Sequence, residues 1–405
     1  MAPIYTHLFG RMSHGGHPLE EFSKQLSHPS NVFAILLMLG GDMVEKAYAQ
    51  LVGTYVAPVA FSFGCVSHAV SAVNSTVGEN RLMPQADFPC QVINGKTGEA
   101  YKNSSWVLGR MVRDYDHWME KDVRLRLDSM LNVKWEEMKA EVKTSGETVS
   151  ILKPRKIGLC VSVYRATDER LRSPTRDAVY KSGLLTTLIQ LALAAAPGGK
   201  DGDWEIFLLT VSGIILSFLT GSLKQWRKEK WSTHDRSDKT VILTKGRGSQ
   251  HAIVVMGDGR GLDLELLATE PQNPDVTCGF LTRLAIFILA VLWLVLVIIA
   301  AGVKKNTWYL LSVGGIGTLQ NAYAVGKKRS PESFGIPLEF ENIIGEVDVM
   351  DTLLAVEENY PSVGRNMLAT FFPNGQLTQS EEQRWAKYTD AVIQQPERPQ
   401  RRLSV

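Results

Sequence analysis

Four ionisable residues beside the first apolar stretches are the candidates for acid–base chemistry. They are Asp42, Glu45, His68 and Glu79. Carboxylates and imidazoles donate or accept protons in many active sites, and an ionisable group at membrane depth indicates a functional role by default. Next to an apolar cavity, such groups suit a cyclase or isomerase that acts on a lipophilic molecule. The alternative is structural: Asp42 pairs with Lys46 on one helix face, and His68 is hydrogen-bonded between helices.

A second set of candidates surrounds a glycine-rich turn between two predicted strands. Lys245 and Arg247 lie in this turn, and His251 and Asp258 follow it along the chain. The backbone N–H groups of such a turn, helped by a lysine, can cradle a phosphate. The glycines that follow do not match the G-x-G-x-x-G that nucleotide binding requires between a strand and a helix. A plain hairpin turn is the alternative, and no cofactor is predicted.

Cysteine spacing and net charge argue against several classes of function. The cysteines are too far apart for the paired spacing of a zinc site, so we predict free thiols and no metal. The net charge is only +2, which gives no indication of nucleic acid as a partner. The sequence contains no hydrolase triad signature and no Walker-type nucleotide motif. The cysteines are Cys65, Cys90, Cys160 and Cys278.

The most apolar stretch of the chain, residues 284–303, determines how the other elements are interpreted. Its sequence, LAIFILAVLWLVLVIIAAGV, contains no charge, no proline and no amide side chain. A helix needs roughly 20 apolar residues to cross the hydrocarbon of a bilayer. A core helix of a soluble protein normally keeps a polar face, whereas this stretch is apolar on every side. It therefore predicts a transmembrane helix.

Further apolar blocks lie on both sides of this stretch. The first of them contains Asp42 and Lys46 on one face, so it either lies in the membrane interface or crosses with that face turned inward. We predict five transmembrane helices, or six if this first block also crosses. The blocks are residues 32–51, 54–73, 184–196, 206–223 and 308–325.

The polar segments between these blocks carry strand patterns and one long helix pattern. Residues 91–101 predict a hairpin, residues 158–164 a buried strand, and residues 240–259 two further strands. Residues 104–131 predict a long amphipathic helix whose aromatic side chains face a core. The predicted fold class is mainly α: a polytopic helical membrane protein, with five or six transmembrane helices and a small cytosolic α+β portion.

Basic residues at the helix ends indicate which side of the membrane is cytosolic. They are concentrated after residue 223 and at Lys327, Lys328 and Arg329, so we predict that the polar segments are cytosolic. The predicted order is a polar, disordered N-terminus, the first membrane helices, a cytosolic α+β segment, a membrane hairpin, a basic cytosolic β-hairpin segment, a second membrane hairpin and a cytosolic helical tail. The corresponding ranges are 1–30, 31–74, 75–181, 182–223, 224–278, 279–326 and 327–405.

Several stretches together resemble a family of uncharacterised multi-pass membrane proteins from filamentous ascomycete fungi. They are SAVNSTVGEN, NGKTGEAYKNSSWVLGRMVRDY, QHAIVVMGDGRGLDLELLA, TWYLLSVGGIGTLQNAYAVG, FGIPLEF and AVEENYPSVGRNMLATFFP. The resemblance covers residues 32–387 and implies no activity and no catalytic residues. Some members of that family are found beside natural-product biosynthesis genes, and this association is the functional expectation that the resemblance carries.

Three functions follow from these observations as competing hypotheses. The first is an accessory membrane protein of fungal secondary-metabolite biosynthesis, acting as a membrane-embedded enzyme through Asp42, Glu45, His68 and Glu79. The second is a transporter or channel, although the central helices carry almost no charge and no inverted repeat is evident. The third is a scaffold that anchors partner enzymes at the membrane. The expected partners are the lipid bilayer and biosynthetic enzymes.

Overall fold

Groups of helices are separated by groups of strands along the described residues. The computed structural model describes residues 40–78, 80–145, 152–269, 277–373 and 377–393, so the predicted N-terminal tail and residues 32–39 lie outside it. The helices are α1 Gly41–Leu51, α2 Gly64–Gly78, α3 Trp106–Arg113, α4 Tyr115–Trp118, α5 Lys121–Ser145, α6 Ala178–Asp201, α7 Glu205–Gly221, α8 Lys224–Lys230, α9 Leu264–Ala268, α10 Phe280–Gly302, α11 Thr307–Gly326, α12 Val349–Asn359, α13 Val363–Phe371 and α14 Gln379–Ile393. The strands are β1 Gln91–Asn94, β2 Ala100–Lys102, β3 Leu159–Ala166, β4 Asp235–Ser237, β5 Thr240–Thr244, β6 His251–Met256, β7 Arg260–Leu262 and β8 Leu338–Glu346, and a 3-10 helix spans Pro331–Phe334.

Four helices form the apolar bundle: α6 and α7 pack together as a hairpin, whereas α10 and α11 are joined by a short turn and pack on other helices. α6 begins after its N-cap residue Asp177, whose carboxylate accepts a hydrogen bond from the Tyr180 backbone N–H. It ends at Asp201, and the next residue, Gly202, adopts the left-handed conformation that commonly caps a helix. α10 packs against α2 and α7, while α11 packs against α6 and α1. The turn between α6 and α7 lies beside the turn between α10 and α11: the Asn306 side-chain amide donates a hydrogen bond to the Asp203 carboxylate over 3.1 Å. The four helices therefore attach to the rest of the chain at the opposite end of the bundle.

Within the described chain, only α6 and α10 are long and apolar enough to cross a membrane. The pair α7 and α8, which is bent by 42°, makes a third candidate if it is taken as one span. The prediction of five or six transmembrane helices is therefore wrong. α11 carries no charge, but its glycines, Gln320 and Asn321 dilute its apolar residues. Residues 54–73 fail for a different reason, because they do not form one helix.

Residues 57–63, which the sequence predicts to be part of a membrane helix, form a non-helical stretch inside the bundle, called the buried segment below. All seven of these residues are shielded from solvent, and α2 begins only at Gly64, directly after them. Pro58 has no backbone N–H and disfavours a helical conformation for the residue before it. An apolar run alone does not distinguish a membrane span from a segment buried among other helices.

The polar segments of the sequence come together in one mixed sheet. Its strand order is β2-β1-β5-β6-β3-β8, with β3 and β6 parallel and every other neighbouring pair antiparallel. The predicted hairpin β1–β2, the buried strand β3 and the pair β5–β6 are confirmed. The fold is therefore not mainly α with a small α+β portion, since six strands from four distant parts of the chain build a full layer.

The two faces of the sheet are both covered, as the alternation of side chains along the strands requires. One face packs towards α3 and the bundle, and the other packs against the C-terminal helices α12, α13 and α14. The bundle face carries Val92, Tyr164, Val241, Leu243, Ile253 and Val255. The opposite face carries Ile93, Leu159, Val161, Val163, Ile242, Ala252 and Val254.

Residues 104–131 form three helices, α3, α4 and α5, rather than the single long helix that their pattern predicts. Asp114 separates α3 from α4, and its buried carboxylate accepts hydrogen bonds from the Arg113 guanidinium at 2.6 Å and from the Arg329 backbone N–H at 3.1 Å. The next residue, Tyr115, points into the sheet, where its hydroxyl donates to Ser162 over 2.6 Å. These tertiary bonds override the helical period of the sequence.

One apolar core joins the bundle to the sheet. The Trp231 indole N–H donates to the Phe334 carbonyl at 2.9 Å, and Trp106 meets the Phe334 ring edge-to-face at 6.2 Å. Trp226 is fully buried and stacks on Tyr48, with ring centroids 5.7 Å apart. The bundle and the sheet are packed directly against each other.

Candidate functional site

The structure describes three of the four predicted acid–base residues, and of these three only His68 lines the small cavity in the bundle. Asp42 is exposed on α1, Glu45 on the same helix is half-buried, and His68 on α2 is buried. Glu79 lies outside the described residues. A small cavity adjoins His68, and neither Asp42 nor Glu45 lines it.

The surroundings of His68 leave room for a water molecule and not for a substrate. The cavity beside it measures about 10 Å³, which is close to the space that one water requires. Pockets for drug-sized ligands begin at roughly 300 Å³. The ring lies 5.2 Å from Tyr48 and 6.1 Å from Trp226, and neither ring nitrogen has a hydrogen-bond partner among the described residues. His68 is therefore packed among aromatic rings, without the interhelical hydrogen bond that the sequence suggests.

Polar side chains inside the bundle form hydrogen bonds with the backbone of the buried segment. The Gln190 amide donates to the Phe61 carbonyl at 2.7 Å and to the Val313 carbonyl at 2.8 Å. The Asn321 side chain forms two hydrogen bonds with Ala60, accepting its N–H at 3.2 Å and donating to its carbonyl at 3.0 Å. Non-helical backbone within an apolar bundle requires such partners, because water is not available there.

Glycines on α6 and α11 make the space that the buried segment fills. A Cβ atom at Gly317 would lie 1.8 Å from the Phe61 carbonyl oxygen, and one at Gly183 would lie 2.2 Å from the Pro58 carbonyl oxygen. Gly314 is approached equally closely by a phenyl ring, whereas Gly315 faces open space. These glycines therefore form a notch that the non-helical backbone of the buried segment fills.

Buried cations bind the C-terminal end of α1 where the bundle meets the sheet. The Lys230 ammonium, which is 1% exposed, donates to the carbonyls of Ala49 at 3.2 Å and Val52 at 2.6 Å. The Arg329 guanidinium donates to the Gln50 carbonyl and pairs with the Asp177 carboxylate at 2.7 Å. The C-terminus of a helix carries partial negative charge from its unpaired carbonyls, so a cation there is favourable.

The C-terminal end of α11 is bound in the same way. The Arg110 guanidinium donates to the Val325 carbonyl at 2.9 Å and pairs with the Asp87 carboxylate at 2.6 Å. Nearby, the buried Glu229 carboxylate on α8 accepts the backbone N–H groups of Leu82 at 2.7 Å and Met83 at 2.6 Å. Burial raises the pKa of Glu229, and the hydrogen bonds oppose that shift. These buried charges hold the two layers together.

Sequence reasoning does not find this junction. Lys230 and Arg329 belong to basic runs that resemble ordinary cytosolic flanks of membrane helices. Burial, followed by the neighbouring Arg329 charge, lowers the pKa of Lys230 well below its usual value. The one available signal is the acidic residue Asp177 at a helix start, which predicts an N-cap and not an ion pair with residue 329.

The glycine-rich turn between β5 and β6 has the geometry of a hairpin connection. Gly246 and Gly248 adopt φ angles of 89° and 78°, which glycine tolerates best. Lys245 is exposed, with its ammonium 4.5 Å from the Phe88 ring centre, and Arg247 is also exposed.

The other two residues of this set lie at opposite ends of β6 and do not meet. His251 approaches the Asp116 carboxylate at 3.7 Å, whereas Asp258 lies 3.5 Å from the Arg165 guanidinium. Burial lowers the pKa of His251. The structure therefore does not assemble a phosphate site from Lys245, Arg247, His251 and Asp258.

Cys160 and His251 become neighbours through the parallel pairing of β3 with β6, although they are distant in sequence. A cysteine beside a histidine suggests a nucleophile, which must be a thiolate to react. Burial instead raises the pKa of Cys160 to about 12, so the thiol stays protonated. All four cysteines are buried and unpaired. In the described residues, no group of histidine, cysteine or acidic side chains is arranged to hold a metal ion.

Comparison of the chain with family models, with curated proteins and with solved structures finds no match.

Proposed function

We propose that this protein is an integral membrane protein that crosses the bilayer more than once and holds its sheet against one membrane surface. The exposed face of α10 carries this proposal. Trp293 points into the bundle, while most large side chains around the helix face outward and are apolar. Water-soluble proteins rarely expose a contiguous apolar patch larger than a few hundred Å². The exposed side chains of α10 are Phe280, Leu281, Leu284, Phe287, Ile288, Val291, Leu292, Leu294, Val295, Ile298 and Ile299.

The two candidate spans α6 and α10 would cross the bilayer in the same direction, with their C-terminal ends on the far side. The turns that join α6 to α7 and α10 to α11 lie together at the end of the bundle remote from the sheet. Trp204 and Trp308, which are 49% and 44% exposed near these turns, suit the far membrane interface. Arg227 and Lys328 are exposed at the near end, and by the positive-inside rule they support a cytosolic position for the sheet.

Within this membrane protein, we propose the role of a rigid platform rather than that of an embedded enzyme or a transporter. The buried segment lies within the described bundle interior, and the cavity beside His68 has about the volume of a water molecule, 10 Å³. The continuous apolar core supports a sheet that keeps one orientation relative to the bilayer. The resemblance to fungal membrane proteins adds the proposal of an accessory role in secondary-metabolite biosynthesis, with biosynthetic enzymes as partners.

A distance measurement in membranes tests the platform. Spin labels placed at Lys228 on α8 and Glu358 on α12 would report one narrow distance distribution after reconstitution, because both positions are exposed and belong to packed layers. The four native cysteines are buried and so leave the labelling specific. A broad distribution would show that the layers move independently and would contradict the proposal.

The accessory role is tested separately in the producing cell. Deletion of the gene is expected to reduce one secondary metabolite, and mild-detergent purification at native expression should recover enzymes of that pathway. An unchanged metabolite profile together with a protein that purifies without pathway enzymes would contradict the accessory role and leave the membrane platform intact.

A further inference from the structure

The sheet end of the apolar bundle carries a group of exposed lysine and arginine side chains, called the basic collar below. They lie at the start of α6, along α8 and directly after α11. We propose that the basic collar binds the head groups of anionic phospholipids in the leaflet next to the sheet. This inference rests on the proposed membrane function and names the class of lipid that such a protein recruits. The basic collar consists of Lys181, Lys224, Arg227, Lys228, Lys327 and Lys328.

Contacts at the C-terminal end of α1 bring the three segments of the basic collar together. The Gln50 side-chain amide donates to the Lys327 carbonyl at 3.3 Å, just after the end of α11. The Arg329 guanidinium pairs with the Asp177 carboxylate, at the start of α6, over 2.7 Å. Lys230, at the end of α8, donates to the carbonyls of residues 49 and 52. The exposed cations therefore lie at one level of the fold, where the bundle meets the sheet.

The exposed charges of these three segments are all positive. α8 exposes only Lys224, Arg227 and Lys228, whose i, i+3 and i+4 spacing puts them on one face of the helix. Asp177 is paired with an arginine, and the buried Glu229 carboxylate accepts two backbone N–H groups. In residues 174–182, 222–230 and 326–329, all of which the structure describes, no exposed carboxylate offsets the basic collar. The basic collar therefore attracts anions.

The opposite end of the bundle carries charges of both signs. Lys200, Lys304 and Lys305 are exposed there, but so are the carboxylates of Asp201 and Glu205. The excess of positive charge is therefore confined to the sheet end. This asymmetry is expected of a surface that meets the anionic lipids of one leaflet.

Two further side chains, one aromatic and one aliphatic, are exposed beside the basic collar. Tyr55 and Val56 lie between α1 and the buried segment and are 87% and 39% exposed. The Arg227 guanidinium lies 5.9 Å from the centre of the Tyr55 ring. A tyrosine beside basic side chains suits the membrane interface, where the ring lies at head-group level and the cations contact lipid phosphates. A free phosphate would leave both side chains in water, so the combination favours a lipid.

The test uses the full chain in maltoside micelles, which carry no charge. Phosphatidylglycerol or phosphatidylcholine with the same acyl chains is titrated in, and bound lipid is counted by native mass spectrometry. We expect phosphatidylglycerol to bind at least ~10-fold more tightly, because its head group carries a net negative charge. Its advantage should shrink as the ionic strength rises from about 0.1 M to about 0.5 M. Equal binding of the two lipids would overturn the proposal, as would full displacement of phosphatidylglycerol by equimolar glycerol phosphate, which has no acyl chains.

A variant of α8 locates the binding. The triple substitution Lys224→Gln, Arg227→Gln and Lys228→Gln removes every exposed charge of this helix. We expect it to lower the preference for phosphatidylglycerol to about 2-fold or less, because each cation near the membrane surface contributes to the attraction. An undiminished preference in this variant would refute the assignment.

The matched control removes the same charge from the opposite end of the bundle. The triple substitution Lys200→Gln, Lys304→Gln and Lys305→Gln changes three exposed lysines there and should keep the full preference. An equal loss in both triple variants would show that the preference follows the net charge of the chain, and this would overturn the proposal.

Membrane insertion is measured separately from lipid preference, by extraction of cell membranes with alkaline carbonate. Retention of the unsubstituted protein in the membrane pellet, together with equal binding of the two lipids, would overturn the role of the basic collar and leave the membrane assignment intact. Release of the unsubstituted protein into the supernatant would overturn both.

Discussion

The substitution Gly317→Ala tests how the bundle holds the buried segment. A Cβ atom at this position would lie 1.8 Å from the Phe61 carbonyl oxygen and 2.8 Å from the Gln190 amide nitrogen. Backbone must therefore move by about 1 Å, in an interior that is close-packed and yields little. Overpacking of this kind costs about 1–3 kcal/mol, and weakening the 2.7 Å bond from Gln190 to Phe61 costs about 1 kcal/mol more.

Gly315→Ala is the matched control on the same helix. Both substitutions gain about 1 kcal/mol of helix propensity, so this gain cancels in their difference. A Cβ atom at Gly315 would meet no heavy atom within 4 Å. We expect Gly317→Ala to be less stable than Gly315→Ala by about 3 kcal/mol, which is roughly a 100-fold change in the folding equilibrium.

A thiol-reactive fluorescent dye provides the assay, because all four cysteines are buried until the protein unfolds. Denaturant or heat is applied to both variants in the same micelles, and dye fluorescence is followed. Equal midpoints for the two variants would refute the close packing of Phe61 against α11, and with it the assignment of residues 57–63 to the bundle interior.

Three further predictions concern the junction, pH and thiol reactivity. Lys230→Met should destabilise the protein by about 2 kcal/mol, because two buried carbonyls lose their donor; Lys228→Met, at an exposed position of α8, should not. Burial lowers the pKa of His251 below 6.5, so the folded state binds a proton less readily than the unfolded chain, and stability should fall as the pH drops from about 7.5 to about 5.5. The melting temperature of His251→Gln should fall less over that range, and an identical fall would contradict the shift. Cys160, whose pKa burial raises to about 12, should resist maleimide in the folded protein and react after denaturation, as mass spectrometry of the labelled peptide would show; labelling of the native protein would contradict its burial.

Local patterns predict those elements whose residues determine their own structure. The run of apolar residues at 284–303 predicts α10, and turn residues between alternating strands predict β1–β2 and β5–β6. The prediction of a membrane span at residues 54–73 is wrong because a run of apolar residues is equally stable in a protein interior and in lipid. β8 also shows a pattern that could have been used, since Leu338-Glu-Phe-Glu alternates apolar and acidic residues as an edge strand does.

The functional residues are harder to predict because they meet only through tertiary contacts. Lys230 and Arg329 look like cytosolic basic flanks, although each is buried against helix carbonyls. Asp42 and Glu45 attract attention because they interrupt an apolar block, yet neither lines the cavity beside His68.

The most direct test of the membrane assignment is the surroundings of α10. Single spin labels at Ile288, Leu292 and Val295, all exposed on this helix, are compared in reconstituted liposomes with a label at the exposed Lys228. A bilayer around α10 predicts high accessibility of the three labels to oxygen and low accessibility to a water-soluble nickel complex, with the reverse at residue 228. Accessibility of the α10 labels to nickel equal to that at residue 228 would place the helix in water and contradict the account.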